Sequence, residues 1–362
     1  MAHYVPPHSH DAYTDEYIND MPVTLENEKI RAVFDKETMH LISLTDKMTG
    51  EVLIDKPSCF FRYADENPKY QMTSWRVGPL MNVRDLNGTC TVRLYKQEQT
   101  AATATLEYEV KFGNSVILCG IRLKKDSSVL EFLPAIKWNE EPVPGEKVPQ
   151  ISFAVPVSYK TTGKSVCDIP FGTLEREALA HDVPALSYLT VDGETESTVS
   201  LLCDSKYGFR LWEDTATVTL IRSAYDPDDY PERGSHTLRI GVAVGSRKDA
   251  KRTSSVFNHR IPFIAGTRHE GTLPLKGTAL TVEGDVIVSC LKNSEDGKGA
   301  TVRLYDETGT ENKATIRFCK PIAKAYLTDS NENILSELDV KDGAVLAKVP
   351  AYAFVTVVAY FE

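Results

Sequence analysis

Alternation of apolar and polar residues is the feature that most restricts what this chain can become. From Ala104 to Phe112, the apolar Leu106, Tyr108, Val110 and Phe112 alternate with Thr105, Glu107, Glu109 and Lys111. Successive side chains on a strand point to opposite faces, so this pattern sends one set to a core and the other to water. Thr237 to Val244 repeats it, with Leu238, Ile240, Val242 and Val244 on one face, and in Thr301 to Tyr305 Val302 and Leu304 oppose Arg303. Runs of β-branched or aromatic residues at 116–123, 198–202, 217–221, 286–291 and 352–361 carry the pattern to the C-terminus, and helical periodicity is nearly absent. Asn87-Gly88, Asp192-Gly193, Asp296-Gly297 and Asp342-Gly343 are turn dipeptides of the kind that close hairpins. Many short strands without crossover helices predict an all-β chain built of sandwiches.

At 362 residues the chain is long enough for two domains of ordinary size. Tyr225 to Gly234 carries two prolines, which remove ladder donors, and reads as a loop. Gly266 to Gly277, with three glycines and a proline, reads as a break. The expected organisation is a linking segment over 1–24, a large β-supersandwich over 25–270 and a small β-sandwich over 271–362. With 41 Lys and Arg against 51 Asp and Glu, the net charge of −10 argues against nonspecific binding to nucleic acid or an anionic membrane surface. The seven cysteines are dispersed and odd in number, which fits a reducing compartment. The first residues have neither the basic start nor the apolar stretch of a secretory signal, and the longest nearly apolar run, 351–361, is too short to span a bilayer as a helix. A cytoplasmic location is the expectation.

Chemistry-bearing clusters are few. His8-Ser9-His10-Asp11 places alternate histidines on one side of an extended segment, as a zinc site could use, but its polar surroundings fit a plain N-terminal segment better. Asp226, Asp228 and Asp229 concentrate carboxylates without the glycine and distal Glu of a calcium loop. Asp168 and Glu175 invite comparison with a glycosidase acid pair, and His181 and His236 with epimerase chemistry; surface ion pairs and structural histidines are the simpler readings. No G-x-S-x-G, Walker A or G-x-G-x-x-G pattern occurs.

A set of longer strings is more specific. Cys167-Asp168-Ile169-Pro170-Phe171-Gly172, Val183-Pro184-Ala185-Leu186, Leu201 to Phe209 (Leu-Leu-Cys-Asp-Ser-Lys-Tyr-Gly-Phe), Leu220 to Asp228 (Leu-Ile-Arg-Ser-Ala-Tyr-Asp-Pro-Asp) and Arg233-Gly234-Ser235-His236 follow one another in this order. Upstream stand Leu25 to Arg31 and Ser43-Leu44-Thr45-Asp46-Lys47-Met48-Thr49-Gly50; downstream stand Phe257-Asn258, Ser294 to Gly299 and Val302 to Tyr305. The series resembles the β region of bacterial α-mannosidases of glycoside hydrolase family thirty-eight, over about nine-tenths of the chain.

The resemblance implies a large supersandwich similar to the galactose mutarotase fold, followed by a smaller sandwich. It also implies a retaining hydrolysis of α-mannosides in which zinc orients sugar hydroxyls and an aspartate attacks the anomeric carbon. The family carries that zinc and aspartate on an N-terminal barrel and helical domain, whose motifs do not occur in this sequence, so the chain is expected to hold no cofactor and no catalytic residue itself. Its expected partners are that barrel, the helical domain and the α-mannoside. Rim residues are expected at Arg222, whose fork of donors suits sugar hydroxyls or a barrel carboxylate, at Asp226 and Asp228 in the same segment, and at Trp75, where the family places an aromatic. Lys206-Tyr207-Gly208 reads as a turn that uses glycine's backbone freedom. A stand-alone carbohydrate-binding module and a purely structural domain are the rival readings.

Overall fold

The computed structural model describes residues 23–228, 232–259, 261–267, 270–272, 274 and 276–362. His8, His10 and Asp11, and Asp229 of the acidic run, lie outside the described residues. The described part is nearly all strand, and it divides into two compact units.

The first unit comprises the described residues up to Asp168 together with Glu175–Ile261. It opens with a four-stranded antiparallel sheet over Val23–Glu26, Ile30–Phe34, Leu41–Asp46 and Val52–Ile54. A ten-stranded sheet follows. Its central run places Tyr188–Gly193, Thr198–Cys203, Ile240–Gly245, Val129–Trp138, Ser115–Lys124, Thr103–Phe112 and Thr91–Gln99 side by side. A six-stranded sheet orders Val183–Pro184, Gly208–Trp212, Thr215–Arg222, Val148–Pro156, Phe60–Glu66 and Leu80–Asp85. The alternation explains the layering: Leu106, Tyr108, Val110 and Phe112 are all buried, and they join Ile151, Phe153, Phe61 and Val218 of the six-stranded sheet in one core. Phe132 and Phe153 meet across the two sheets with ring centroids 4.8 Å apart. Each such ring contributes roughly 1.5–3 kcal/mol by leaving water.

Three expectations are corrected. Asn87-Gly88 is no hairpin turn. It lies in the short helix Leu86–Thr89, capped by Asp85, whose carboxylate accepts from the Gly88 N–H. Helix is also present at Ala250–Asn258, where Ala250 and Phe257 pack on Val129, Tyr188, Leu202 and Ala243 and cover one face of the larger sheet. Nine residues hold too few turns for the period to stand out from the flanking strands. The strand read at Thr237 to Val244 breaks at Leu238 and Arg239, between Gly234–Thr237 and Ile240–Gly245.

The second unit comprises Ile169–Leu174 and the described part of Pro262–Glu362. A four-stranded sheet over Leu280–Glu283, Asn312–Phe318, Ala344–Val349 and Val340–Lys341 faces a five-stranded one over Ile287–Asn293, Gly299–Tyr305, Phe354–Phe361, Ile322–Thr328 and Ile334–Leu338. Val302, Leu304, Ile316, Val345 and Val357 form the core between them. Asp342 and Gly343, both at positive φ, close the hairpin that pairs Lys341 with Ala344. After the helix Ala250–Asn258 the described residues pass from the first unit to the second between Ile261 and Pro262.

Candidate functional site

The site is built at one end of the six-stranded sheet. Val148–Pro156 is flanked there by Phe60–Glu66 on one side and Thr215–Arg222 on the other, with Val148 opposite Glu66 and Gln150 opposite Arg222. Glu66 and Arg222, 156 residues apart in sequence, therefore reach over the middle strand toward each other. The Arg222 guanidinium donates from Nε to Glu66 Oε1 at 2.6 Å and from Nη2 to Oε2 at 2.8 Å. Gln150 adds an amide donor to Oε1 at 2.9 Å and the Gly78 N–H one to Oε2 at 3.3 Å. Glu66 is sealed from water, and a carboxylate there survives only because four donors replace its hydration. Burial would lower the basicity of Arg222; the hydrogen bonds and charge of Glu66 outweigh it and raise it above the ordinary value.

Arg222 then organises the loop between Phe60–Glu66 and Leu80–Asp85. Its Nη2 also donates to the carbonyls of Thr73, at 3.0 Å, and Arg76, at 3.3 Å. The buried Thr73 hydroxyl oxygen accepts from the N–H groups of Tyr225 and Asp226, both at 3.0 Å. In return the Asp226 carboxylate accepts from Met72 N–H at 2.7 Å, its carbonyl accepts from Ser74 N–H at 2.8 Å, and the Asp228 carbonyl accepts from the Ser74 hydroxyl at 3.3 Å. Gln71 and Met72 are held at positive φ by this lacing, a conformation that non-glycine residues avoid. Trp75 emerges from the loop 71% exposed, beside the half-exposed Tyr70.

The four sequence candidates are thus brought into one cluster, with different tasks. Trp75 offers an open aromatic face. Asp226 and Asp228 hold the loop by backbone and carboxylate contacts, and Arg222 spends Nε and Nη2 inside the protein on Glu66. Glu66, Gln150 and Thr73 went unnoticed in the sequence. The only local signal for Glu66 was an acidic residue closing an alternating run ahead of Asn67-Pro68.

The other candidates lie in structural roles. The Asp168 carboxylate is buried and accepts from Ser187 N–H at 2.8 Å, Ser187 hydroxyl at 2.5 Å and Tyr188 N–H at 3.0 Å, with Lys251 Nζ at 3.7 Å. Glu175 pairs with Lys164 and Arg247 on the surface, which holds it below the usual carboxylate range. His181 is exposed, and His236 sets a ring nitrogen 3.1 Å from the Glu232 carbonyl. Gly208 is not at positive φ; it opens the strand Gly208–Trp212, and an added Cβ would stand 3.1 Å from the Asp182 carboxylate. A buried histidine that the sequence did not flag, His40, bridges Asp85 at 2.6 Å and the Thr38 hydroxyl at 2.8 Å. Among the described residues no three His, Cys, Asp or Glu side chains converge as metal ligands. The residues described here do not fit zinc.

The described residues thus form two all-β units, the first with a laced polar loop cluster at one end of its six-stranded sheet. Residues 25–230 match the glycosyl hydrolases family 38 C-terminal domain, and residues 285–359 match the glycosyl hydrolases family 38 C-terminal beta sandwich domain. The chain belongs to this family. It is similar to alpha-mannosidase G of Dictyostelium discoideum, at 25% identity over 329 residues, covering 83% of this chain and 28% of that protein. An alpha-mannosidase of Saccharomyces cerevisiae is 24% identical over 160 residues, 38% of this chain and 14% of that one. The crystal structure of an alpha-mannosidase from Enterococcus faecalis V583 shares the fold with a TM-score of 0.74 at 17% identity, over 94% of this chain and 42% of that chain. The chain therefore spans less than a third of the length of the Dictyostelium and Saccharomyces relatives and less than half of the Enterococcus chain. No helix among the described residues is long and apolar enough to cross a membrane.

Proposed function

We propose that this chain serves as the accessory β region of an α-mannoside hydrolase and completes a catalytic barrel and helical domain that carry the zinc and the attacking aspartate. The observation that carries this reading is the match of both family modules, in order, along the chain. The laced loop supports a rim role: Trp75 is displayed on a rigid base beside Asp226 and Asp228, and the C–H faces of a sugar stack on such a ring. Seven cysteines, all as free thiols, support a reducing, cytoplasmic setting. The test is hydrolysis of an α-mannoside by this chain alone and together with a family catalytic barrel. Turnover only in the combined sample is expected; turnover by the isolated chain would overturn the assignment. In the combined sample Trp75→Ala should raise KM by about tenfold, the worth of roughly 1.4 kcal/mol of stacking, and unchanged kinetics would remove it from the rim.

The exposure of Trp75 also favours a second reading, in which the chain binds sugar on its own. Saturable quenching of tryptophan fluorescence by methyl α-mannoside, lost in Trp75→Ala, would select it.

A further inference from the structure

The outward face of the six-stranded sheet carries a second charged group near the Glu66–Arg222 pair, and Asp182 acts on both. Arg62 stands on Phe60–Glu66 opposite Ser152, and Arg210 stands on Gly208–Trp212 opposite Thr217. Thr217 is the cross-strand partner of Arg210, and its hydroxyl oxygen accepts from Arg62 Nη2 at 3.2 Å; Arg210 Nη1 donates to the Ala180 carbonyl at 3.5 Å. Ser152 and Thr217 are sealed beneath them, and Arg210 itself is buried. Two guanidiniums cannot be neutralised, so this pair needs two anions. Among the described residues one carboxylate stands close to Arg210. Asp182 faces Arg210 through Oδ1, 3.5 Å from Nε and free of any hydrogen bond among the described residues, while its Oδ2 accepts from the Thr219 hydroxyl at 2.6 Å. Asp85, opposite Arg62 in register, is committed to His40 and the Gly88 N–H. Arg62 Nε and Arg210 Nη2 are buried donors without a hydrogen-bond partner. Burial first, and then the positive charge of Arg210, push Arg62 down to about 10, against the opposing pull of Asp182.

Leaving buried charged donors unmade is costly, and proteins keep such costs where a ligand relieves them. We propose that Arg62 and Arg210, with the Thr217 hydroxyl bound to Arg62, form a binding site for a small oxyanion, a phosphate or a carboxylate. Such a group accepts from two guanidinium edges at once, which is the geometry arginine favours. Arg62 is only partly buried, so the ligand enters on its side.

The test measures thermal unfolding of the full chain, in chloride at constant ionic strength, with added inorganic phosphate or N-acetylglutamate amide. A saturable rise in Tm with either probe is expected. Phosphate alone points to a free ion, the glutamate derivative alone points to a side-chain carboxylate of a protein, and a response to both supports the shared chemistry. Arg210→Met and Arg62→Met should each weaken the response by about tenfold or more. Because Arg62 repels its neighbour, Arg62→Met should also unfold at no lower temperature than the parent in chloride alone, a result that a structural arginine would not give. No saturable response to either probe overturns the proposal. So does a response that persists in Arg62→Met, which serves as the decisive variant if Arg210→Met does not fold.

Discussion

At the scale of single residues, the charged side chains that look catalytic in a string of letters turn out to differ chiefly in how they are hydrated. Asp168 has exchanged water for two backbone N–H groups and a hydroxyl, whereas Glu175 remains at the surface among cations. Asp168→Ala should therefore lower stability by about 2–4 kcal/mol, since it strands buried donors, and urea unfolding checks it; Glu175→Ala should change little. Glu131 gives a pH prediction. It is buried beneath Arg122 and Lys124, and although burial raises its pKa, these two cations outweigh that and bring it below the ordinary 4.5. A carboxylate depressed in the folded state stabilises above its unfolded pKa, and the contribution is lost as pH falls through the folded value. Denaturation curves collected from neutral pH into acid should show stability falling below about pH 4.5, and Glu131→Gln should flatten that slope. Neither environment was legible in sequence, because each is assembled from residues on different strands.

At the scale of elements, one ion pair across a middle strand governs a loop. Arg222 fastens the segment between Glu66 and Leu80 through two carbonyls, and Thr73 and Asp226 lace it further. Arg222→Ala would leave Glu66 charged, buried and short of its main donor, at a cost of about 3–5 kcal/mol. Arg222→Lys keeps the charge but not the fork, so it should fold while loosening the loop. Trypsin should then cut after Lys69 and Arg76 faster than in the parent; equal cleavage rates would show that the loop does not depend on the fork. The loop's place in the fold could be read from its flanking strands, but its fastening could not. Nothing within ten residues of Glu66 announces Arg222 as its partner.

For the molecule as a whole, burial also sorts the seven thiols. Burial pushes the Cys59 and Cys119 thiols up to about 12 and Cys203 up to about 11, while Cys319 is exposed. Since the thiolate is the reactive form, brief iodoacetamide treatment of the native chain should label Cys319 and spare Cys59, Cys119 and Cys203 until denaturant is added. Mass spectrometry of the digest distinguishes them. The layered architecture was readable in advance because it rests on a local property: a period of two decides which side chains leave water, and Leu106, Tyr108, Val110, Val302 and Leu304 all went to a core as their spacing required. Turn chemistry was readable for the same reason at Asp342-Gly343, where the backbone angles belong to the dipeptide itself. It misled at Asn87-Gly88, where the Asp85 cap and packing against neighbouring strands draw the dipeptide into a helix. The amino-acid order thus decided the strands, their two-sided faces and, through ordered motifs, the family. Only the tertiary structure decided which group answers which: Glu66 for Arg222, Ser187 for Asp168, and Asp182 for Arg210. Pairing depends on strand register and burial across the sheets, and these exist only once the chain has closed on itself.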